Sequence, residues 1–135
     1  MEFERSDPSA GDVPEQYAPY FQGTARFQIL ESPFLDEGGP GAMFVHFDAG
    51  GRTRPHVHHR GQILHIVSGR GVVADAHQRR IVEPGDTVTV EPEEWHWHGG
   101  LADSAMSHLV VQYPGADVSF DVEERDWAQG YEDLA

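Results

Sequence analysis

The sequence predicts an all-β fold of the sandwich or barrel type, and three observations support this. Short apolar runs recur along the 135-residue chain, separated by turns rich in Gly, Pro and Asp. The length and the net charge of −14 describe one small acidic domain. A hydrophobic fraction of 39%, with three Trp, four Tyr and seven Phe, is sufficient for a packed core.

The elements follow in chain order from these runs. Residues 1–20 are expected to form an N-terminal arm, and residues 21–135 a single domain. Strands are predicted at 24–30, 42–48, 52–58, 62–67, 71–77, 80–82, 87–90, 95–98 and 105–113. The turns DEGGPG, AGG, SGRG and EPGD separate several of them, because glycine supplies a positive φ and proline fixes φ. The tail VEERDWAQGYEDL is rich in helix formers and is compatible with one short helix.

The composition excludes several classes of function. The absence of Cys excludes disulfides, thiolate catalysis and cysteine metal sites. The absence of Lys excludes a Schiff base, so that carbonyl activation would need a metal or hydrogen bonds. The 23 acidic against nine basic residues disfavour nucleic acid and anionic membrane surfaces, and favour small molecules as partners. The polar N-terminus, MEFERSDPSAGD, leads us to expect a cytoplasmic protein.

The histidines carry the strongest functional signal. Of nine in the chain, four form two alternating pairs, His56 with His58 and His96 with His98. Because residues i and i+2 of a strand project from the same face, each pair can direct two imidazoles into one cavity. This arrangement is typical of a metal site. A histidine outside such a pair more often has an ordinary role in the core or at the surface. We expect this of His46, His59, His65 and His77.

Two stretches resemble the motifs of the cupin family. Residues 50–69, GGRTRPHVHHRGQILHIVSG, are similar to the first cupin motif, with Gln62 in place of its carboxylate. Residues 84–100, PGDTVTVEPEEWHWHGG, resemble the second motif, with Glu93 in place of a glycine and Gly100 in place of an asparagine. The resemblance implies a double-stranded β-helix, a small jelly-roll barrel. It also implies one divalent metal ion held by His56, His58, Gln62 and His96.

The glutamine changes the charge of such a site. Three neutral imidazoles and an amide leave a divalent site at +2, whereas a carboxylate would reduce it to +1. The higher charge makes a stronger Lewis acid and disfavours higher oxidation states of iron or manganese. This favours polarisation of a carbonyl or stabilisation of an enolate over oxygen activation. Zinc is the favoured ion, and Mn, Ni, Co or Fe are compatible with the same N and O ligands. The alternative is that Gln62 replaces a lost ligand in an inactive site.

Strand parity assigns the surroundings of this site. With Gln62 inward, Leu64 and Ile66 also face inward and His65 faces outward. With His96 inward, His98 follows as an additional ligand or a general acid/base. Trp95 and Trp97 then lie on the opposite face, between sheets or subunits. On strand 105–113 the residues that share a face are His108, Val110 and Gln112.

These assignments yield a set of catalytic candidates and a set of pocket candidates. His98 is the first choice for proton transfer and His108 the second, with Gln112 as a further polar group. The residues expected to line a pocket for a hydrophobic carbonyl substrate, or to be core only, are Phe44, Leu64, Ile66 and Val110.

Within the cupins, four patterns resemble a group of bacterial single-domain members. They are R-T-x-x-H-x-H-x-x-G-Q, I-V-S-G-x-G, W-H-W-H-G and A-M-S-H-L-x-x-Q. The group includes manganese hydroxynitrile lyases, proteins related to carboxymuconolactone decarboxylase, and aromatic polyketide cyclases of the resistomycin-cyclase type. The resemblance implies formation or cleavage of a carbon–carbon bond beside a carbonyl.

The leading hypothesis from the sequence is a metal-dependent polyketide cyclase that performs aldol-type ring closure in aromatic polyketide antibiotic biosynthesis. The alternatives are a hydroxynitrile-lyase-like or decarboxylase-like enzyme, a metal-dependent dioxygenase, and a ligand-binding cupin without turnover. A homodimer is also expected, with Trp97 and the arm residues 17–21 at its interface.

Overall fold

Twelve strands are present in the computed structural model, which describes residues 1–132 and 134. They are β1 Phe21–Gln22, β2 Ala25–Ile29, β3 Gly41–Phe47, β4 Arg52–Thr53, β5 Val57–His58, β6 Gln62–Gly69, β7 Gly71–Asp75, β8 Arg79–Val82, β9 Thr87–Val90, β10 His96–Gly100, β11 Met106–Gln112 and β12 Val118–Ser119. Short 3-10 helices span Glu15–Tyr20, Leu35–Glu37, Gly115–Asp117 and Trp127–Gln129.

The strands form two five-stranded antiparallel sheets. Their orders are β1-β4-β10-β7-β8 and β2-β3-β11-β6-β9, and β5 with β12 forms a third, two-stranded sheet. Neighbours in space are often distant in sequence, which is characteristic of a jelly roll. This confirms the predicted all-β barrel.

Eight of the nine predicted strands are confirmed, with ends within two residues of the observed ones. The prediction of one strand at 52–58 is wrong, because the chain breaks there into β4 and β5. Pro55 lies between them and has no N–H to donate to a ladder. His56 keeps only an isolated bridge, to His96. The two-residue strands β1 and β12 are too short to show alternation in the sequence.

The barrel interior holds the main core, and strand parity is as predicted. Gln62, Leu64 and Ile66 of β6 are buried, whereas Ile63 between them is exposed. Gly69, the last residue of β6, has φ +72°, and a Cβ there would lie 1.9 Å from the Ala105 carbonyl oxygen. The buried members of this core are Val45, Phe47, Leu64, Ile66, Val73, Val82, Met106 and Val110.

A second apolar cluster lies on the outer face of β10 and β7. Its largest members are Trp95, Trp97 and Trp127, and the C-terminal tail supplies the last of these. The tail forms no helix beyond the single 3-10 turn at Trp127–Gln129 within the described residues, and residue 133 lies outside them. The short helix compatible with the tail sequence is therefore present only as this one 3-10 turn. Contacts with the barrel hold the tail in an irregular path, because they outweigh a weak helix propensity.

Trp97 is completely buried by this tail within its own chain. It cannot form the predicted dimer contact, and the homodimer itself stays a prediction. The arm also packs on its own barrel: Asp12 bridges to Phe27, and the Gln28 side-chain amide donates to the Arg5 carbonyl oxygen over 2.8 Å. Among the described residues, no helix is long and apolar enough to cross a membrane.

Candidate metal centre

Antiparallel pairing brings the two histidine pairs together. His56 precedes β5 and forms a bridge directly opposite His96, the first residue of β10. Each backbone N–H donates to the other's carbonyl oxygen, over 3.0 and 3.2 Å. His58 and His98 follow two residues later on the same faces as their partners. A separation of 40 residues in sequence thus becomes direct contact.

Three imidazoles converge on one point. His56, His58 and His96 can each offer a ring nitrogen, and these nitrogens all lie within 4.8 Å of one another. The rings of His56 and His96 have centroids 4.3 Å apart, and the ring of His58 lies 5.2 and 5.6 Å from them. All three residues are buried. The three histidines could therefore hold a metal ion.

Backbone carbonyls orient two of these rings. Nδ1 of His56 donates to the Arg54 carbonyl oxygen over 2.8 Å, and Nδ1 of His96 donates to that of Glu94 over 2.9 Å. A neutral imidazole protonated at Nδ1 carries its free lone pair on Nε2. Both nitrogens of His58 are buried without a hydrogen-bond partner in the described chain. Ring nitrogens with free lone pairs fit a divalent metal ion, because binding the ion would give each of them a partner.

The amide of Gln62 adds an oxygen to this cluster. Its Oε1 lies 3.1 Å from Nε2 of His96, and its Nε2 donates to Oε1 of Gln112 over 2.6 Å. Because His96 carries its proton on Nδ1, two lone pairs face each other across the 3.1 Å gap. A shared cation would convert this repulsion into two ligand bonds. The orientation of the amide follows from the hydrogen-bond network.

Burial keeps the cluster neutral. It lowers the pKa of His56 and His98 well below the usual value and that of His96 less strongly. It lowers the pKa of His58 to about 4 and that of His108 to about 3. Neighbouring imidazoles add to the effect, since each disfavours a charge on the next. Neutral imidazoles are the form that binds metal.

His98 and His108 form a separate pair beside the three-histidine cluster. Nδ1 of His98 and Nε2 of His108 are 3.0 Å apart and share one hydrogen bond. Nε2 of His98 is buried and has no protein partner within residues 1–132 and 134. The ring of His98 lies 5.3 Å from that of His56, but His98 is not part of the group whose nitrogens converge. Its role as an additional ligand or as an acid/base stays a prediction.

One cavity of about 410 Å³ is lined by residues of both groups, but His96 is not among them. Apolar side chains dominate its wall, and the polar groups are concentrated among the histidines and glutamines. A mostly apolar cavity with a few convergent polar groups is typical of small-molecule sites. Its polar residues include His56, His58, Gln62, His98, His108 and Gln112, and its apolar residues include Tyr17, Phe21, Phe27, Met43, Val45 and Phe120.

The four apolar pocket candidates do not line this cavity, and for three of them the alternative of a core role is confirmed. Leu64, Ile66 and Val110 are completely buried in the core and do not line the cavity. Phe44 lies on the other face of β3, because its neighbour Val45 is the residue opposite His108. The sequence GAMFVHF is apolar on both faces of this strand, so parity alone could not decide which face is inward.

Some contributors to the site have no signal in the sequence. The carbonyls that orient the ligands belong to Arg54 and Glu94, whose side chains take no part in these bonds. Tyr17 and Phe120 reach the cavity from the arm and the tail. Glu93, which occupies the glycine position of the second motif, adopts φ +65° and so keeps the backbone geometry that a glycine would give.

Comparisons with known proteins agree with this architecture. An (R)-mandelonitrile lyase from Granulicella tundricola is 35% identical over 97 residues, which cover 70% of this chain and 72% of that relative. A cupin-like protein from Thermotoga maritima superposes with a TM-score of 0.75 at 26% identity, with 97% of both chains covered. A cupin-2 domain from Rhodospirillum rubrum gives 0.69 at 22% identity, over 96% of this chain and 86% of the other. The Cupin domain model matches residues 43–112, which is more than half of the chain. The protein therefore belongs to the cupin family.

Proposed function

We propose that this cupin is a metal-dependent carbon–carbon lyase that cleaves a small aromatic cyanohydrin into an aldehyde and hydrogen cyanide. The observation that carries the proposal is the His98–His108 pair, which lines the same cavity as His56 and His58, two of the three converging histidines. A proton acceptor thus lies beside a site for a Lewis acid. The similarity to an (R)-mandelonitrile lyase supports this choice of reaction.

His56, His58, His96 and Gln62 would hold the metal ion. When bound, the ion would supply a Lewis acid that acidifies a substrate hydroxyl and polarises a carbonyl oxygen. A ligand set of three imidazoles and one amide contains no anion, so the full charge of the ion would act on the substrate. Zn, Mn, Ni, Co and Fe are all compatible with these ligands, and zinc remains our expectation.

The histidine pair would move the proton. Neutral His98, with a free lone pair, accepts the hydroxyl proton of the cyanohydrin. The bond between the carbinol and nitrile carbons breaks, its electron pair leaves with cyanide, and the oxygen electrons form the aldehyde carbonyl. The pair then returns the proton to cyanide, so that atoms and charges balance. The burial that lowers the pKa of both histidines ensures that the acceptor is neutral at pH 7.

The size of the cavity favours a small substrate. Its volume of about 410 Å³ lies near the lower end of the range, about 300–1,000 Å³, found for small-molecule sites. A one-ring cyanohydrin suits such a volume better than a folded polyketide chain. The aromatic side chains Tyr17, Phe21 and Phe120 in its wall suit a planar ring.

A polyketide cyclase is the second candidate. The observation in its favour is the same uncharged ligand set, since a Lewis acid and a base would also generate an enolate for aldol closure. A dioxygenase would depend on O₂, and a ligand-binding cupin would show no turnover with any substrate. These differences separate the four hypotheses experimentally.

The test combines metal analysis with assays on a defined substrate. Elemental analysis of the protein as purified and after saturation identifies the ion. Cleavage of racemic mandelonitrile is then followed through the absorbance of benzaldehyde, with and without O₂. We expect cleavage that requires metal and does not require O₂. A 1,3-diketone aldol substrate serves as the cyclase probe.

Two variants sharpen this test. His56→Ala should lose both the metal and the cleavage, whereas His77→Ala, in an exposed turn, should keep both. Cleavage that persists in metal-free protein would end the proposal. Aldol closure of the diketone without mandelonitrile cleavage would favour the cyclase instead.

A further inference from the structure

We propose that residues 117–131, which we call the C-terminal strap, position the ligand histidines, and that Trp127 is the positioning residue through which the strap acts. This inference rests on the metal centre of the proposed function. The strap lies outside residues 43–112, which match the Cupin domain model, so the family match does not account for it. It nevertheless contacts every segment that carries a converging histidine.

The start of the strap contacts the first histidine pair directly. Val118 of β12 pairs with His58 of β5 in the two-stranded sheet. Two residues later, the ring centroid of Phe120 lies 4.9 Å from that of His56. The backbone of one ligand and the ring of another are therefore in contact with the strap.

Trp127 contacts residues 52–54, the segment that ends in the carbonyl orienting His56. Its Nε1 donates to the Thr53 carbonyl oxygen over 2.8 Å, and its own carbonyl accepts from Arg52 over 2.7 Å. The guanidinium groups of Arg52 and Arg54 lie 4.0 and 4.4 Å from its ring centroid. The Arg54 carbonyl is the group that accepts from Nδ1 of His56. Movement of this segment would displace the Arg54 carbonyl and so turn the His56 imidazole away from the cluster.

The strap also covers the outer face of β10. Trp95 and Trp97 flank His96 in sequence and point away from the cavity into the cluster that contains Trp127. Nε1 of Trp95 donates to the Glu123 carbonyl oxygen over 2.7 Å. The strap therefore packs against the outer face of β10, the strand that carries His96. The same strap contacts residues 52–54 through Trp127.

Co²⁺ binding to the full chain tests this role, because its d–d absorption reports ligand geometry without any substrate. Trp127→Ala removes both the indole hydrogen bond and the stacking between the guanidinium groups, whereas Trp127→Phe removes mainly the hydrogen bond. The control is Val82→Ala, a truncation in the barrel core, whose cluster contains no residue of the strap. Affinity is measured by chelator competition, and stability by thermal unfolding of the metal-free proteins.

We expect Trp127→Ala to weaken Co²⁺ binding by about 10–100-fold and to change the d–d spectrum, since loss of groups that orient ligands has this effect. Trp127→Phe should recover part of the affinity, and Val82→Ala should lower the melting temperature without a spectral change. Equal affinity and an unchanged spectrum in both Trp127 variants would overturn the role of the strap. Failure of the wild-type chain to bind Co²⁺ would instead overturn the metal centre itself.

Discussion

Gln112 decides which end of the Gln62 amide faces the metal centre. Its Oε1 accepts from Nε2 of Gln62 over 2.6 Å, which leaves Oε1 of Gln62 directed at His96. The two glutamines are directly opposite in the β6–β11 ladder, so the contact is built into the sheet. The catalytic role expected of Gln112 stays a prediction, and this contact adds the prediction that it orients the Gln62 amide.

Replacement of Gln112 by Leu should weaken divalent metal binding by about 10–100-fold. Without the acceptor, the Gln62 amide can turn and donate Nε2–H to the lone pair of His96, which withdraws its oxygen from the site. Gln112→Glu retains an acceptor and should stay close to the wild-type affinity. Chelator competition measures both values. Identical affinities in the Leu and Glu variants would contradict this role.

His108 should be needed for turnover but not for metal binding. It lies 3.0 Å from His98 and is not part of the converging group. His108→Ala is expected to lower kcat for mandelonitrile cleavage by about 10²–10⁴-fold, the usual contribution of a positioned acid/base. The metal content should not change. Loss of the metal in this variant would show that the two clusters are one unit.

At the scale of elements, close contact between β4 and β10 positions the histidines of the candidate metal centre. Gly99 of β10 pairs with Arg52 of β4, and a Cβ at Gly99 would lie 2.4 Å from both the Arg52 Cβ and the Gly51 carbonyl oxygen. A side chain there would push apart the two strands that bring His56 against His96. Only glycine permits this approach.

Gly99→Ala should therefore destabilise the fold by about 1–3 kcal/mol, the usual cost of overpacking a well-packed site. Urea unfolding followed by circular dichroism measures the change. Gly41→Ala is the matched control, because a Cβ at Gly41 of β3 would make only ordinary contacts of 3.5 Å or more. A Gly99 variant as stable as the Gly41 variant would show that the strands can separate at no cost.

At the scale of the whole molecule, the buried histidines make the metal-free protein sensitive to acid. Their ordinary pKa is 6.5, but in the fold His58 has a pKa of about 4 and His108 one of about 3. Between these values and 6.5 the unfolded chain binds protons that the folded chain does not. The contribution of these histidines to the free energy of unfolding is therefore complete above pH 6.5. It decreases as the pH falls towards their pKa values in the folded protein.

The measurement compares wild-type protein with His108→Phe at several pH values between 7.5 and 4.5, in the presence of chelator. In this pH range each such histidine lowers the free energy of unfolding by about 1.4 kcal/mol for every unit by which the pH falls. The variant should show a shallower loss of stability by about this amount. The comparison cancels the general effect of the net charge, which both proteins share. Parallel pH profiles would contradict a neutral, buried His108.

The prediction from sequence succeeded where the signal is local. With Gln62 and His96 taken as inward from the motif resemblance, alternation placed Leu64, Ile66 and His98 on inward faces, and the structure agrees. It failed at strand 52–58, where Pro55 interrupts the ladder between β4 and β5, and it gave no path for the tail, which the packing of Trp127 decides. It also failed for Phe44, since an apolar residue on either face of a strand leaves parity ambiguous.

The sequence by itself determined the all-β class, the turns and the faces on which the two histidine pairs lie, because periodicity and backbone preference are properties of neighbouring residues. The tertiary structure alone decided that His56 meets His96, that two backbone carbonyls orient their rings, and that the tail covers Trp97. Those contacts join residues far apart in the chain, and their energies depend on how the two sheets pack rather than on any local pattern.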